Sequence, residues 1–117
     1  MTELLTRRFA SRAALESALE ERLARAIATP AALMLSGGTT PLPAYRALAA
    51  RPGLAPHGAL CILFSDDRYV PADSPASNYH QSQPLLAALS LPSAAVLRVR
   101  SELPLEDAAR DYERQLA

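Results

Sequence analysis

Three features of the sequence predict an α/β fold, a Rossmann-like parallel sheet with flanking helices. Helical and strand-like apolar segments alternate along the chain. Two of the apolar runs lead directly into polar clusters, Ser36–Thr40 and Ser65–Arg68. The length of 117 residues, half of them hydrophobic, suits one domain over 1–117 with a core of its own.

The elements follow in order. Ser11 is placed to N-cap a first helix ending near Ala28, because its hydroxyl can accept from a free amide of the first turn. Leu15, Leu19, Leu23 and Ile27 recur every fourth residue and predict one buried stripe, with charged residues on the other faces. Thr29-Pro30 ends the helix. Ala31 to Leu35 is a short continuous apolar run, as expected of a strand buried on both faces. After the Gly-rich turn, a second helix is expected from about Pro41, with Leu42, Tyr45 and Leu48 inward and both Pro41 and Pro43 tolerated in its first turn.

Arg51 to Gly58 is a Pro/Gly loop, and Leu60 to Phe64 the second strand. Val70 to Ser77 reads as an ordered loop. A third helix is expected from Ser77 or Asn78 to Leu89, a third strand over Ala94 to Val99, and a last helix from Pro104 to Ala117.

Composition removes several function classes. Twelve basic residues, all Arg, balance twelve acidic ones, so no positive field is available for nucleic acid. The single cysteine, Cys61, lies in an apolar run and reads as a small buried core residue. Neither His57 nor His80 has a neighbour at metal-ligand spacing, so no metal site is indicated. Met1-Thr2-Glu3-Leu4 lacks the basic and apolar start of a signal peptide, and Pro and Gly interrupt every apolar stretch before it could span a bilayer. The expectation is a cytoplasmic protein without a membrane partner.

The polar clusters carry the chemistry. In Ser36-Gly37-Gly38-Thr39-Thr40-Pro41 a strand enters a Gly-Gly turn and a helix follows. Glycines let backbone amides approach an anion closely, the helix start adds partial positive charge, and the hydroxyls add donors. Phosphate is the natural ligand. The loop matches neither the Lys-containing nucleotide loop nor the dinucleotide fingerprint. In the second cluster, Asp66-Asp67-Arg68, the carboxylates can accept a proton or orient Arg68, and Arg68 can clamp a phosphate or carboxylate. In Ser77-Asn78-Tyr79-His80, Asn78 can bond a loop or a sugar hydroxyl and His80 is a weaker acid-base candidate. Each cluster alone is also compatible with an ordinary surface turn.

Taken together, Ser36-Gly37-Gly38-Thr39-Thr40-Pro41, Phe64-Ser65-Asp66-Asp67-Arg68-Tyr69-Val70-Pro71 and Ser77-Asn78-Tyr79, in this order and spacing, closely resemble the N-terminal half of the 6-phosphogluconolactonases, within the wider glucosamine-6-phosphate deaminase-like superfamily. The resemblance spans nearly the whole chain. It implies hydrolysis of 6-phosphogluconolactone to 6-phosphogluconate in the oxidative pentose phosphate pathway, with no cofactor. It implies that Ser36, Gly37, Gly38, Thr39, Thr40 and Arg68 bind substrate or its phosphate, and that Asp66 and Arg68 serve the catalytic end; Asn78, by its own chemistry, is a further candidate for binding substrate.

There are departures. Asp67 stands where Glu is usual, Thr39 where Ser is usual, and Leu42 at a position often basic. The family's Gly-x-Gly-x-Asp-Gly-His-Thr segment, whose His is taken as the general base, has no counterpart here. The expectation is therefore a truncated chain that keeps substrate-binding elements, with weak or absent hydrolysis alone and possible self-association through an exposed sheet edge. The alternative is a non-catalytic sugar-phosphate-binding or sensor module. Within the resemblance, Arg68-Tyr69-Val70-Pro71 disfavours an aldose-ketose isomerase or deaminase of the same superfamily.

Overall fold

The computed structural model describes residues 3–117. Helix α1 spans Arg12–Ile27, and Ser11 caps it: its Oγ accepts from the Ala14 amide at 3.1 Å. Leu23 and Ile27 of the expected stripe are buried and Leu19 packs partly against the core. Leu15, however, is exposed. The stripe meets the core from Leu19 onward, and shares it with Ala44, Tyr45 and Leu48 of α2 (Leu42–Ala49).

Strands β1 (Ala32–Leu35) and β2 (Cys61–Phe64) pair in parallel, Ala32 opposite Cys61 and Leu35 opposite Phe64. Side chains alternate between sheet faces. Leu35, Ile62 and Phe64 turn to the face covered by helices and are essentially inaccessible. Met34 turns the other way and is 57% exposed, and Ala32 is exposed with it. The expectation of a first strand buried on both faces is thus corrected. Cys61, on the same side, is half-buried rather than a core residue.

The expected third helix is two. α3 (Asn78–Gln81) ends at Ser82, and α4 (Gln83–Leu89) begins with Pro84 in its first turn. Proline has no N–H for the carbonyl four residues back, and its ring crowds that oxygen. Ser82 Oγ turns back to the preceding turn, donating to Asn78 O at 2.9 Å and Tyr79 O at 3.0 Å, and closes the end of α3. α4 packs on α2, and Leu85 and Leu89 complete the core.

The expected third strand, Ala94 to Val99, is also corrected. A 3₁₀ turn occupies Ser93–Ala95, and a single bridge joins Val96 to Ile62, with the Leu97 amide donating to Ile62 O at 2.8 Å. The ladder stops there because its next position is taken. Tyr112, from helix α5 (Leu105–Leu116), donates its hydroxyl to Phe64 O at 2.6 Å and accepts from the Phe64 amide at 2.9 Å. Among the described residues no helix is long and apolar enough to cross a membrane.

Candidate functional site

The register that sets Leu35 opposite Phe64 brings the two polar clusters together, since each begins at the next residue. The Ser65 amide donates to Leu35 O at 2.9 Å, and the hydroxyls of Ser36 and Ser65 lie 3.1 Å apart. Ser65 Oγ donates to Asp66 Oδ1 at 3.2 Å, and Asp66 Oδ2 accepts from Arg68 Nη1 at 3.4 Å. A continuous polar strip therefore runs from the loop to Arg68, at the carboxyl ends of parallel strands where ligands collect in α/β folds.

The loop is built to present its amides. Gly37, Gly38, Thr39 and Thr40 donate no backbone hydrogen bond to other described residues. The Ser36 amide is already taken by Tyr45, whose hydroxyl accepts it at 3.2 Å and donates to Ser36 O at 2.8 Å. Burial pushes the Tyr45 phenol above its ordinary value of 10.0, against the smaller opposite pull of the Ser36 backbone bond. Ser36 is thus left with its hydroxyl for a ligand. Pro41 and Pro43 also remove two amides from the start of α2, so the loop is a stronger donor than the helix itself. Arg12, whose Nε pairs with Glu16 at 2.8 Å, reaches over from α1 and donates through Nη2 to Thr39 O at 3.0 Å, at the rim of the loop. Nothing in the sequence pattern marked Arg12, 27 positions away.

The glycines have separate causes. Gly38 has φ +98°, a conformation that favours glycine. Gly37 is required by its neighbour: a Cβ there would lie 1.9 Å from Asn78 Oδ1.

On the second side, Arg68 and Asp66 are each more than half exposed, and such a surface pair is worth at most about 1 kcal/mol. Arg68 can exchange that partner for an anionic ligand at little cost. Asp67 is engaged otherwise. Its Oδ1 accepts from the amides of Arg68 at 2.7 Å and Asn78 at 2.6 Å, and its Oδ2 from Ser77 Oγ and the Tyr79 amide, both at 3.3 Å. Asn78 is 6% exposed and donates its side-chain amide to Asp66 O at 3.1 Å. It stands beneath the strip as a brace.

A family model described as glucosamine-6-phosphate isomerases/6-phosphogluconolactonase matches residues 7–117. The chain belongs to this family. It is 39% identical over 85 residues to the 6-phosphogluconolactonase of Thermotoga maritima and 37% identical over 91 residues to the human one. These alignments cover 72% and 73% of this chain but 38% and 34% of the relatives, so the chain spans little more than a third of their length. The Thermotoga maritima crystal structure superposes with a TM-score of 0.67 at 35% identity, over 86% of this chain and 45% of that one. The 6-phosphogluconolactonase of Trypanosoma cruzi superposes at 0.73 with 28% identity, over 93% and 48%. Membership of the family and the α/β fold with a parallel sheet accord with the sequence-based expectation.

The remaining acid-base candidates lie elsewhere. His80 lines a hollow with Leu42, Arg46 and Pro75 that includes none of Ser36–Thr40, Asp66 or Arg68. His57 sits before β2, at the opposite end of the strand, where its Nδ1 accepts from the Ala59 amide at 3.0 Å. No group of three or more His, Cys, Asp or Glu among the described residues is placed to hold a metal ion.

Proposed function

We propose that this chain binds 6-phosphogluconolactone and supplies the phosphate-binding and oxyanion-stabilising part of its hydrolysis to 6-phosphogluconate. The observation that supports this best is the side-by-side emergence of the two clusters, Ser36 Oγ against Ser65 Oγ at 3.1 Å. In this reading the phosphate is cradled by the amides of Gly37 to Thr40 and the Ser36 and Thr hydroxyls. Arg68 faces the lactone end. Water adds to the carbonyl carbon, negative charge gathers on the carbonyl oxygen, and the guanidinium stabilises it before the ring C–O bond breaks and the ring oxygen takes a proton. Asp66 holds Arg68 in the free state and yields to substrate. Asn78, whose side chain could bond a loop or a sugar hydroxyl, acts in this reading through the backbone it supports, donating to Asp66 O.

The attacking water also needs a base. Neither His57 nor His80 lines the strip, and this favours binding with slow turnover for the chain as it stands. The second reading, a non-catalytic sugar-phosphate-binding module, rests on the same observation. The proposal places the chain in the cytoplasm and has the open edge of β1 pair with a second copy or with further polypeptide.

Calorimetry with 6-phosphogluconate, and lactone decay followed against the spontaneous rate, separate the readings. The lactonase reading expects binding that Arg68→Ala weakens about tenfold, the worth of one charge-assisted contact, and decay faster than spontaneous. Binding without acceleration selects the module. Absence of binding overturns both.

A further inference from the structure

Two loops that follow adjacent strands can move independently unless something couples them, and the exposed Ser36–Ser65 contact is a weak tie. A stronger connection runs underneath. Asp67 gathers four donors from Arg68, Ser77, Asn78 and Tyr79 and so fixes the start of α3 against the Arg68 segment. Ser77 and Asn78 are 2% and 6% exposed, so the bonds from the start of α3 are partly shielded from competing water, while the Arg68 amide bond lies at the exposed side. From that anchor Asn78 extends in two directions. Its Nδ2 holds Asp66 O at 3.1 Å. Its amide packs so closely on Gly37 that the position of a Cβ would fall 1.9 Å from Oδ1 and 2.3 Å from Cγ. The φ of Gly37 is not in the left-handed region, so it is this contact that excludes a side chain.

We propose that Asp67 and Asn78 are positioning residues that lock the Gly37–Gly38 loop to the Arg68 segment and thereby set the distance between the phosphate cradle and the guanidinium. The consequence for ligands rests on the function proposed above. A ligand that bridges both elements, such as a sugar-acid phosphate, depends on the lock. A ligand that needs the loop alone, such as inorganic phosphate, depends on it far less.

The test uses the full chain and two measurements. In amide NMR spectra without ligand, Asp67→Asn is expected to shift the Gly37 and Gly38 cross-peaks together with those of Arg68, Asn78 and Tyr79, and Asp67→Glu to restore them. Should Asp67→Asn not fold, Asn78→Ala serves: it keeps the carboxylate and its amide bonds, and is expected to move Gly37 and Gly38 while leaving Tyr79 in place. Glycine peaks that stay put in the variant that folds overturn the lock, whatever the chain binds. In calorimetry, the same variant is expected to lose about tenfold in affinity for 6-phosphogluconate while phosphate affinity changes less than about threefold. Equal losses for both ligands overturn the distance-setting role. If wild type binds neither ligand while the glycine peaks respond as expected, the proposed function fails and the lock stands.

Discussion

The loop after β1 and the segment after β2 leave the sheet side by side and solve opposite problems. Ser36–Thr40 leaves the amides of Gly37 to Thr40 without backbone partners among the described residues and is held from outside, by Tyr45 at Ser36 and by Arg12 at Thr39. Asp66–Arg68 is held from within, by a carboxylate that accepts from four donors. The first arrangement suits capture of an anion and the second suits precision in placing a cation. A site for a small charged ligand needs both, and the contact between Gly37 and Asn78 is where they meet.

The comparison breaks most severely at that contact. Gly37→Ala is expected to cost about 2–4 kcal/mol in chemical denaturation, because backbone and a nearly buried amide must separate. Gly38→Ala, where nothing lies within 4 Å of the added Cβ, pays only the backbone strain of φ +98°, about 1–2 kcal/mol. If the two variants are equally stable, Gly37 is not constrained by Asn78.

A smaller effect distinguishes the two tyrosines that finish the strands. Tyr45 and Tyr112 each bond both the N–H and the C=O of one residue, Ser36 and Phe64 respectively. Each Tyr→Phe change is expected to cost about 1–2 kcal/mol by urea denaturation, two backbone groups losing their partner. Burial raises both phenols above 10.0, and the charges of Asp67 and Cys61 add to the rise at Tyr112. The folded state therefore keeps these protons longer than the unfolded chain does. The contribution is fully present below the unfolded value near 10 and is lost as pH climbs through the folded one. The urea midpoint should fall above pH 10, and fall less in the Tyr45→Phe/Tyr112→Phe double variant.

The smallest effect is at the exposed join. Ser36→Ala removes one solvent-accessible hydroxyl contact and is expected to change stability by less than about 0.5 kcal/mol. If phosphate affinity also stays unchanged in calorimetry, the Ser36 hydroxyl takes no part in the cradle.

Several features were legible in the sequence because their causes are local. Ser11 caps α1 through an amide three residues away. The apolar runs at Ala31–Leu35 and Leu60–Phe64 contain the observed strands. The Gly-Gly turn, the Arg68 cluster and the family could be read from short ordered motifs. What failed depended on neighbours. Met34 belongs to an apolar run like any buried strand, yet it faces away from the helices. Ala94 to Val99 has strand-like composition, but Tyr112 already occupies the backbone of Phe64 that a longer ladder would use. Pro84 alone was a local signal that the third helix divides.

The sequence by itself determined the alternation of helical and apolar segments and the two polar clusters that follow the strands, because periodicity and residue chemistry act over a few positions. Only the tertiary structure decided how the clusters cooperate. Asp67 looked like one of a pair of reactive carboxylates and became a brace, while Arg12 and Tyr45 joined the loop from other helices. Those roles come from parallel register and helix packing, which bring together residues whose separation along the chain carries no mark of their contact.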